Sequence, residues 1–158
     1  MLASPKTEIQ STSLGEIARF AAKEAAKKHS RAVVVEDSGL FVRVLNGFPG
    51  PFSSYVHHTI GVGGLLRLMG RQTRREAYFQ ASLALASPKE SSQEFSGKVH
   101  GTISHKSAGT QGFGFDSIFI PRGARKTFAQ GGTQFKDKYS HRAVAFRKLA
   151  LWYIRTKI

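Results

Sequence analysis

The sequence contains no cysteine, which excludes disulfide bonds and thiolate metal sites. Any metal ion must therefore be held by oxygen or histidine ligands. No apolar run reaches the roughly 18 residues that a membrane-spanning helix requires, and the first residues lack the basic-then-apolar layout of a secretion signal. We therefore expect a cytoplasmic protein without a membrane partner.

Acidic residues are scarce: 10 Asp and Glu stand against 24 Lys and Arg, which gives a net charge of +14 at pH 7. Such a surface attracts polyanions, which include nucleic acid, acidic membranes and phosphorylated small molecules. The basic residues are dispersed along the chain and show no zinc-finger, RRM or KH pattern. Nucleic acid is therefore not expected as the main partner, although the charge does not exclude it.

The length of 158 residues and the hydrophobic content of 41% are typical of one domain, residues 1–158. A helix is predicted over 13–30, with Ser13 as its cap and Glu16 at the capping-box position. A strand is predicted over 31–37, and its continuous apolar run is typical of a strand covered on both faces. A helix that leads into such a strand indicates an α/β fold.

The rest of the chain continues the alternation of helices and strands. The sequence predicts a loop over residues 45–56, which leads into a helix over residues 60–70. Residues 75–87 and 94–104 predict two antiparallel strands joined by a polar turn. Residues 143–154 predict a closing amphipathic helix.

Two adjacent carboxylates, Glu36 and Asp37, follow the apolar run 33–35 and precede Ser38 and Gly39. We interpret them as the end of a buried strand before a turn, where ligands gather in open α/β sheets. Like charges side by side are costly unless a cation joins them, and Mg²⁺ prefers a few carboxylates with water and phosphate oxygens. The alternative is a solvated or paired Glu36 and an Asx-turn at Asp37, which these residues alone favour.

Several segments in a fixed order carry a resemblance to a known family. They are "EIQSTSLGEIARFAAKEAAK", "VVVEDSGLFV", "LNGFPGPFSSYV", "REAYF", "GFGFDSIFIP", "KTFAQ" and "SHR". Together they resemble the Ham1-like inosine/xanthosine triphosphate pyrophosphatases from about Thr7 to the C-terminal helix. The resemblance implies an α/β fold with a mixed, twisted sheet flanked by helices and a central nucleotide cleft. It also implies a homodimer, for which the aromatic-rich segment 47–56 is the expected contact surface.

The resemblance implies Mg²⁺-dependent hydrolysis of non-canonical purine nucleoside triphosphates, such as ITP, dITP or XTP, to the monophosphate and pyrophosphate. This reaction needs a metal ion, a carboxylate that orients or deprotonates water, and cations that hold the phosphates. By the same resemblance, Glu8 and Asp37 are the catalytic and metal-holding acids, and Glu36 is a supporting metal ligand. Lys23 is implied to point to the phosphates, whereas without the resemblance it is a solvated lysine.

The resemblance also implies a purine pocket. The implied substrate-binding residues are Lys23, Ser38, Phe113, Gly114, Phe115, Asp116, Lys136, Ser140, His141 and Arg142. An aromatic ring can stack on the purine, and we expect at least one of Phe113 and Phe115 to lie in the core. Donors from His141 and Arg142 near the six-position oxygen would exclude adenine, whose amino group leaves them unpaired. Asp116 and backbone atoms are the candidates for selection against guanine.

The sequence departs from the family pattern at a few positions. Asp137 stands where asparagine is usual, Ser117 replaces a proline, and "TFAQG" lacks the usual acid after the alanine. The family's first strand and its "T/S-x-N-x-x-K" phosphate loop have no counterpart before Glu8. We expect either a start further upstream, a shortened chain, or a relative that has lost catalysis. A relative of the last kind would act as a basic nucleotide- or nucleic-acid-binding protein.

Overall fold

One five-stranded sheet forms the centre of the molecule, and helices pack on both of its faces. The computed structural model describes residues 7, 9–89 and 91–157. The elements are α1 (Leu14–His29), β1 (Val33–Val42), a 3₁₀ turn (Arg43–Leu45), β2 (Pro49–Gly50), α2 (Ser53–Thr59), α3 (Gly61–Met69), β3 (Glu76–Ala86), β4 (Gln93–Ile103), β5 (Phe119–Pro121), α4 (Phe128–Lys138) and α5 (His141–Lys157).

The strand order in the sheet is β2-β1-β3-β4-β5, and every strand pair in the described residues is antiparallel. The predicted hairpin is confirmed as β3 and β4, which pair along nearly their whole length. The predicted helices are confirmed as α1, α3 and α5. No helix in the described part of the chain is long and apolar enough to cross a membrane.

Helix α1 begins as the sequence predicts, because the Ser13 hydroxyl accepts a hydrogen bond from the Glu16 N–H at 3.3 Å. The expected reciprocal capping box does not form. The Ser13 N–H donates to Ser11 Oγ, and the Glu16 carboxylate accepts from the same hydroxyl. The helix packs closely on β1 and β3 because the buried side chains in this contact are small. They are Ala18, Ala22, Ala26, Ala84 and Ala86.

Strand β1 corrects the interpretation of the carboxylate pair. The strand does not end at Asp37, because its pairing with β3 runs without interruption from Val33 to Val42. Gly39 is required by a close approach rather than by a turn, since a Cβ there would lie 2.1 Å from the Gly50 carbonyl oxygen. Nor is the strand covered on both faces at its start. Val34, which faces away from α1, is 40% exposed.

The main core lies between the sheet and the helices that follow β1 and β5. Phe119 and Phe128 are fully buried at its centre, and the Phe79 ring packs against both, with centroid distances of 4.8 and 6.0 Å. Leu40 and Leu65 join the same cluster from β1 and α3. The core therefore fixes β1, β3 and the start of α4 relative to one another.

Helix α5 crosses β4 at Gly97. A Cβ at this residue would lie 2.1 Å from the His141 carbonyl oxygen and 2.7 Å from the Ala145 nitrogen. Because both atoms belong to the backbone, they cannot move aside as a side chain can. The missing Cβ thus allows the first turn of α5, with His141 and Arg142, to lie directly on the sheet.

We predict that Gly97→Ala lowers the free energy of unfolding by about 1–3 kcal/mol, because the added methyl overlaps the backbone of α5. Gly63→Ala is the matched control. Gly63 is exposed in α3, where its nearest neighbour is an Arg67 nitrogen at 3.5 Å, so alanine should stabilise the helix by about 0.5–1 kcal/mol. Urea unfolding of both variants tests this, and a Gly97→Ala protein as stable as the wild type would contradict the close approach.

Candidate functional site

A cavity of about 480 Å³ lies between the middle of β1, helix α2, the loop 113–116 and the start of α5. This volume lies within the range of about 300–1,000 Å³ that is typical of small-molecule sites. Its lining residues are Glu36, Asp37, Ser38, Gly39, Ser53, Ser54, His57, His58, Phe79, Phe113, Gly114, Phe115, Asp116, Lys136, His141 and Arg142. The fold thus brings most of the predicted site residues around one space.

Arg142 joins α5 to β1. Its Nε donates to Glu36 Oε1 at 3.0 Å, and its Nη2 donates to Ser38 Oγ at 2.8 Å. Glu36 and Ser38 are two positions apart in a strand, so their side chains lie on the same face. Ser140 caps α5, because its hydroxyl accepts from the Ala143 N–H at 3.1 Å. The cap and the two strand residues together fix where the guanidinium lies.

Asp37 lies on the other face of β1. Side chains alternate between the two faces of a strand, so Asp37 shares a face with Val33 and Val35, which pack against α1, and not with Glu36. The two adjacent carboxylates therefore start from opposite faces of the sheet. Their repulsion is reduced by this separation and by Arg142, which neutralises one of them.

Asp116 organises the loop 113–116. Its side chain is 3% exposed, and its Oδ2 accepts from the Phe113 N–H at 2.9 Å and from Lys136 Nζ at 2.5 Å. Gly114 has a φ of +62°, which a glycine adopts readily. Phe115 is buried in the core, as predicted for one of the two rings. Phe113 is 66% exposed and lies over Lys136, with 4.1 Å between Nζ and the ring centroid.

His141 is a buried, neutral imidazole. It is 3% exposed and stacks on Phe79 with a centroid distance of 5.1 Å. Burial, and then the positive charges of Arg142 and Lys136, lower the pKa of His141 to about 3. Within the described residues, its Nδ1 is buried without a hydrogen-bond partner. A neutral ring offers one donor and one acceptor, so His141 is suited to pair with the polar edge of a ligand.

Sequence reasoning missed the wall that α2 contributes. The lining residues on this helix are Ser53, Ser54, His57 and His58. The Ser53 hydroxyl accepts from the Leu40 N–H at 2.8 Å and donates to the Gly50 carbonyl at 2.7 Å, which ties α2 to β1. The Phe115 ring meets the His57 ring edge-on at 5.5 Å. No sequence pattern marks these residues as a site, because only the tertiary fold brings α2 opposite α5.

Two predicted site residues in the described part of the chain do not line this cavity. Lys23 is exposed on α1 and does not line it, and Ser140 caps α5 instead of lining it. Glu8 lies outside the described residues. The assignments of Lys23 to the phosphates and of Ser140 to the substrate stay predictions.

The residues of the site fit Mg²⁺, but they could supply only a few of its ligands. No group of three or more His, Asp or Glu side chains that could hold a metal ion occurs in the described residues. Glu36 is engaged by Arg142, and the side chain of Asp37 is a carboxylate, the kind of ligand that this ion prefers. Since Mg²⁺ takes many of its ligands from water and substrate phosphates, one or two protein carboxylates are sufficient.

The lowered pKa of His141 predicts a pH dependence of stability. Below about pH 6.5 the unfolded chain binds a proton at this residue that the folded chain does not bind until about pH 3. The free energy of unfolding therefore falls as the pH is lowered from about 6.5 to about 3, by on the order of 1 kcal/mol per pH unit. His141→Gln removes the group that takes up this proton. The melting temperature of the variant should therefore fall less than that of the wild type when the pH is lowered from about 7.5 to about 5.

The control for this comparison is His105→Gln, which replaces an exposed histidine in the loop after β4. It should keep the full wild-type loss of melting temperature on acidification. An equal loss in the wild type and in His141→Gln would show that His141 titrates normally.

Comparison with known proteins agrees with this architecture. The Ham1 family model matches residues 2–152. A dITP/XTP pyrophosphatase of Hyperthermus butylicus is 49% identical over 150 residues, which cover 95% of this chain and 78% of that protein. A dITP/XTP pyrophosphatase of Ignicoccus hospitalis is 48% identical over 150 residues, which cover 94% of this chain and 80% of that protein.

Solved structures show the same fold. The Ham1 protein of Staphylococcus aureus superposes with a TM-score of 0.89 at 31% identity, and the match covers 98% of this chain and 82% of that one. A HAM1 protein from Coxiella burnetii gives a TM-score of 0.86 at 27% identity, with coverage of 97% and 82%. These matches confirm the predicted α/β fold of the Ham1-like type, and the chain belongs to the Ham1 family.

Proposed function

We propose that the chain hydrolyses non-canonical purine nucleoside triphosphates, such as ITP, dITP and XTP, to the monophosphate and pyrophosphate. The observation that carries this proposal is one cavity that is lined by Arg142, His141 and Lys136 as well as by Asp37. Relatives of 49% and 48% identity that are named dITP/XTP pyrophosphatase support the same substrate class.

The polar groups in the cavity favour a purine with an oxygen at its six position. Arg142 uses two nitrogens to bind β1, and its guanidinium has further N–H donors for a ligand. A neutral His141 adds one more donor. A carbonyl oxygen satisfies such donors, whereas the amino group of adenine leaves buried donors unpaired. Selection against guanine by Asp116 stays a prediction, since its Oδ2 is already engaged by Phe113 and Lys136.

Cleavage to the monophosphate and pyrophosphate breaks the bond between the α-phosphorus and the oxygen that bridges to the β-phosphorus. We assign Asp37 to orient the attacking water and accept its proton, and Glu8 to act with it. Mg²⁺, when bound, neutralises charge on the triphosphate. Asp37 and Glu8 would hold this ion, and the net charge of +14 favours approach of the triphosphate.

The proposal includes a homodimer that works in the cytoplasm on the nucleotide pool. The segment 47–56 supports the contact surface, because its aromatic side chains Phe48, Phe52 and Tyr55 are 38%, 42% and 70% exposed. Exposed apolar side chains that cluster in this way are typical of protein interfaces.

The proposed activity predicts Mg²⁺-dependent pyrophosphate release from ITP, dITP or XTP that exceeds release from ATP and GTP. Asp37→Asn should lower kcat by about 100-fold or more, because a positioned general base contributes that much. Asp137→Asn is the matched control. It makes the same chemical change at an exposed residue of α4 outside the cavity, and it should leave turnover unchanged.

Equal turnover of ITP and ATP would contradict the assigned base selectivity. Absence of turnover with every nucleotide, in a folded protein, would instead favour the second candidate function. That candidate is a basic nucleotide- or nucleic-acid-binding protein whose affinity falls as the salt concentration rises.

A further inference from the structure

Two hydrogen bonds join the rigid guanidinium of Arg142 to β1. The Nε and Nη2 donors lie in the plane of the guanidinium, and they bind Glu36 and Ser38 on the same face of the strand. The ring centroid of Phe113 lies 5.6 Å from Cζ of Arg142, so an aromatic side chain also borders the group. These contacts fix the position of the guanidinium and the direction of its remaining N–H donors.

From this geometry we propose that Glu36 and Ser38 are positioning residues for base recognition, and that Glu36 acts through Arg142 instead of holding a metal ion. The inference rests on the proposed function for the identity of the ligand. It deepens that function, because it names the residues that aim the purine-binding guanidinium.

Positioning of an arginine before the ligand binds should increase affinity for the ligand. An unrestrained arginine loses rotamer freedom when it binds a ligand, and this loss reduces affinity. A guanidinium that is already held by a carboxylate and a hydroxyl has lost that freedom before the ligand arrives. The planar arrangement of its donors also sets their direction, which a lysine ammonium cannot do.

The position of Glu36 in the strand argues against a shared metal site with Asp37. The two side chains leave β1 on opposite faces, and the Glu36 carboxylate lies in an ion pair with a cation of α5. A metal ion at Glu36 would have to displace Arg142 from the contact that orients it. Because Asp37 stands between Glu36 and Ser38, the strand segment that aims the base-binding group also bears the catalytic carboxylate.

The test measures binding of inosine monophosphate by calorimetry in the absence of Mg²⁺. Glu36→Gln keeps the size of the side chain and removes its charge, so we expect binding to weaken by about tenfold, as for loss of a charge-assisted hydrogen bond. Ser38→Ala should weaken binding by a smaller factor, about threefold, because the Ser38 hydroxyl accepts a hydrogen bond from the guanidinium but carries no charge of its own. Glu24→Gln, which removes an exposed carboxylate that pairs with Lys27 on α1, should bind like the wild type.

Two further measurements separate positioning from metal binding. The Mg²⁺ concentration that gives half-maximal dITP hydrolysis should be the same in Glu36→Gln and the wild type. In an Arg142→Lys background, Glu36→Gln should cause little further loss of inosine monophosphate binding, because the group it positions is gone.

The proposal is overturned if Mg²⁺-free binding is unchanged in Glu36→Gln, or if the losses from Glu36→Gln and Arg142→Lys simply add. A rise in the half-maximal Mg²⁺ concentration would assign Glu36 to the metal. If Glu36→Gln does not fold, Ser38→Ala and its combination with Arg142→Lys decide by the same criteria. If the wild type binds inosine monophosphate with this pattern but hydrolyses no triphosphate, the proposed function fails and the positioning role stands.

Discussion

The close approach of α5 to the sheet at Gly97 is the constraint on which the rest of the site depends. With no side chain between them, the first turn of α5 lies on β4, and His141 reaches Phe79 on β3 while Arg142 reaches β1. A separation larger by one methyl group would shift both residues away from these partners. Backbone packing thus determines which polar groups face the cavity, and their hydrogen bonds then refine the position.

Two carboxylates that line the cavity have a cation beside them. Asp116 lies against Lys136, and Glu36 lies against Arg142. Burial of a lone charge is costly, and such pairs reduce that cost without filling the space between them. His141 avoids the same cost by remaining neutral. The result is a polar cavity in which carboxylates hold Lys136 and Arg142, so that a ligand meets donors with fixed directions.

Much of the fold follows from local sequence patterns, whereas the path of β1 does not. Ser13, Glu16 and the apolar residues that recur on one face of α1 predict that helix, and alternating apolar residues predict the β3–β4 hairpin. The residues from Glu36 to Gly39 suggest a turn by composition, and the structure places them in mid-strand. They form a strand there because α5 supplies a guanidinium for the polar face and β2 requires a glycine, and both partners are distant in sequence.

The sequence likewise predicts some residues of the candidate site, whereas others become visible only in the folded structure. The family resemblance of "FGFD", Lys136, His141 and Arg142 implies a base pocket, and the structure brings these residues together around one cavity. The partnership of Arg142 with Glu36 spans more than 100 positions in the chain, and the wall formed by α2 is tied to β1 through the Ser53 hydroxyl. Neither has a local signature, because each arises from tertiary packing alone.

The exposed ring of Phe113 has a consequence for how the site discriminates between nucleotides. Stacking of a base on an aromatic ring contributes about 1–3 kcal/mol and is nearly the same for every base, since each has a π-face. The ring already covers the Lys136 ammonium, a contact of about 0.5–1 kcal/mol that a stacked base would share or replace. Under the proposed function, stacking on Phe113 would therefore add affinity for any base, and discrimination between bases would fall to the polar groups of His141 and Arg142.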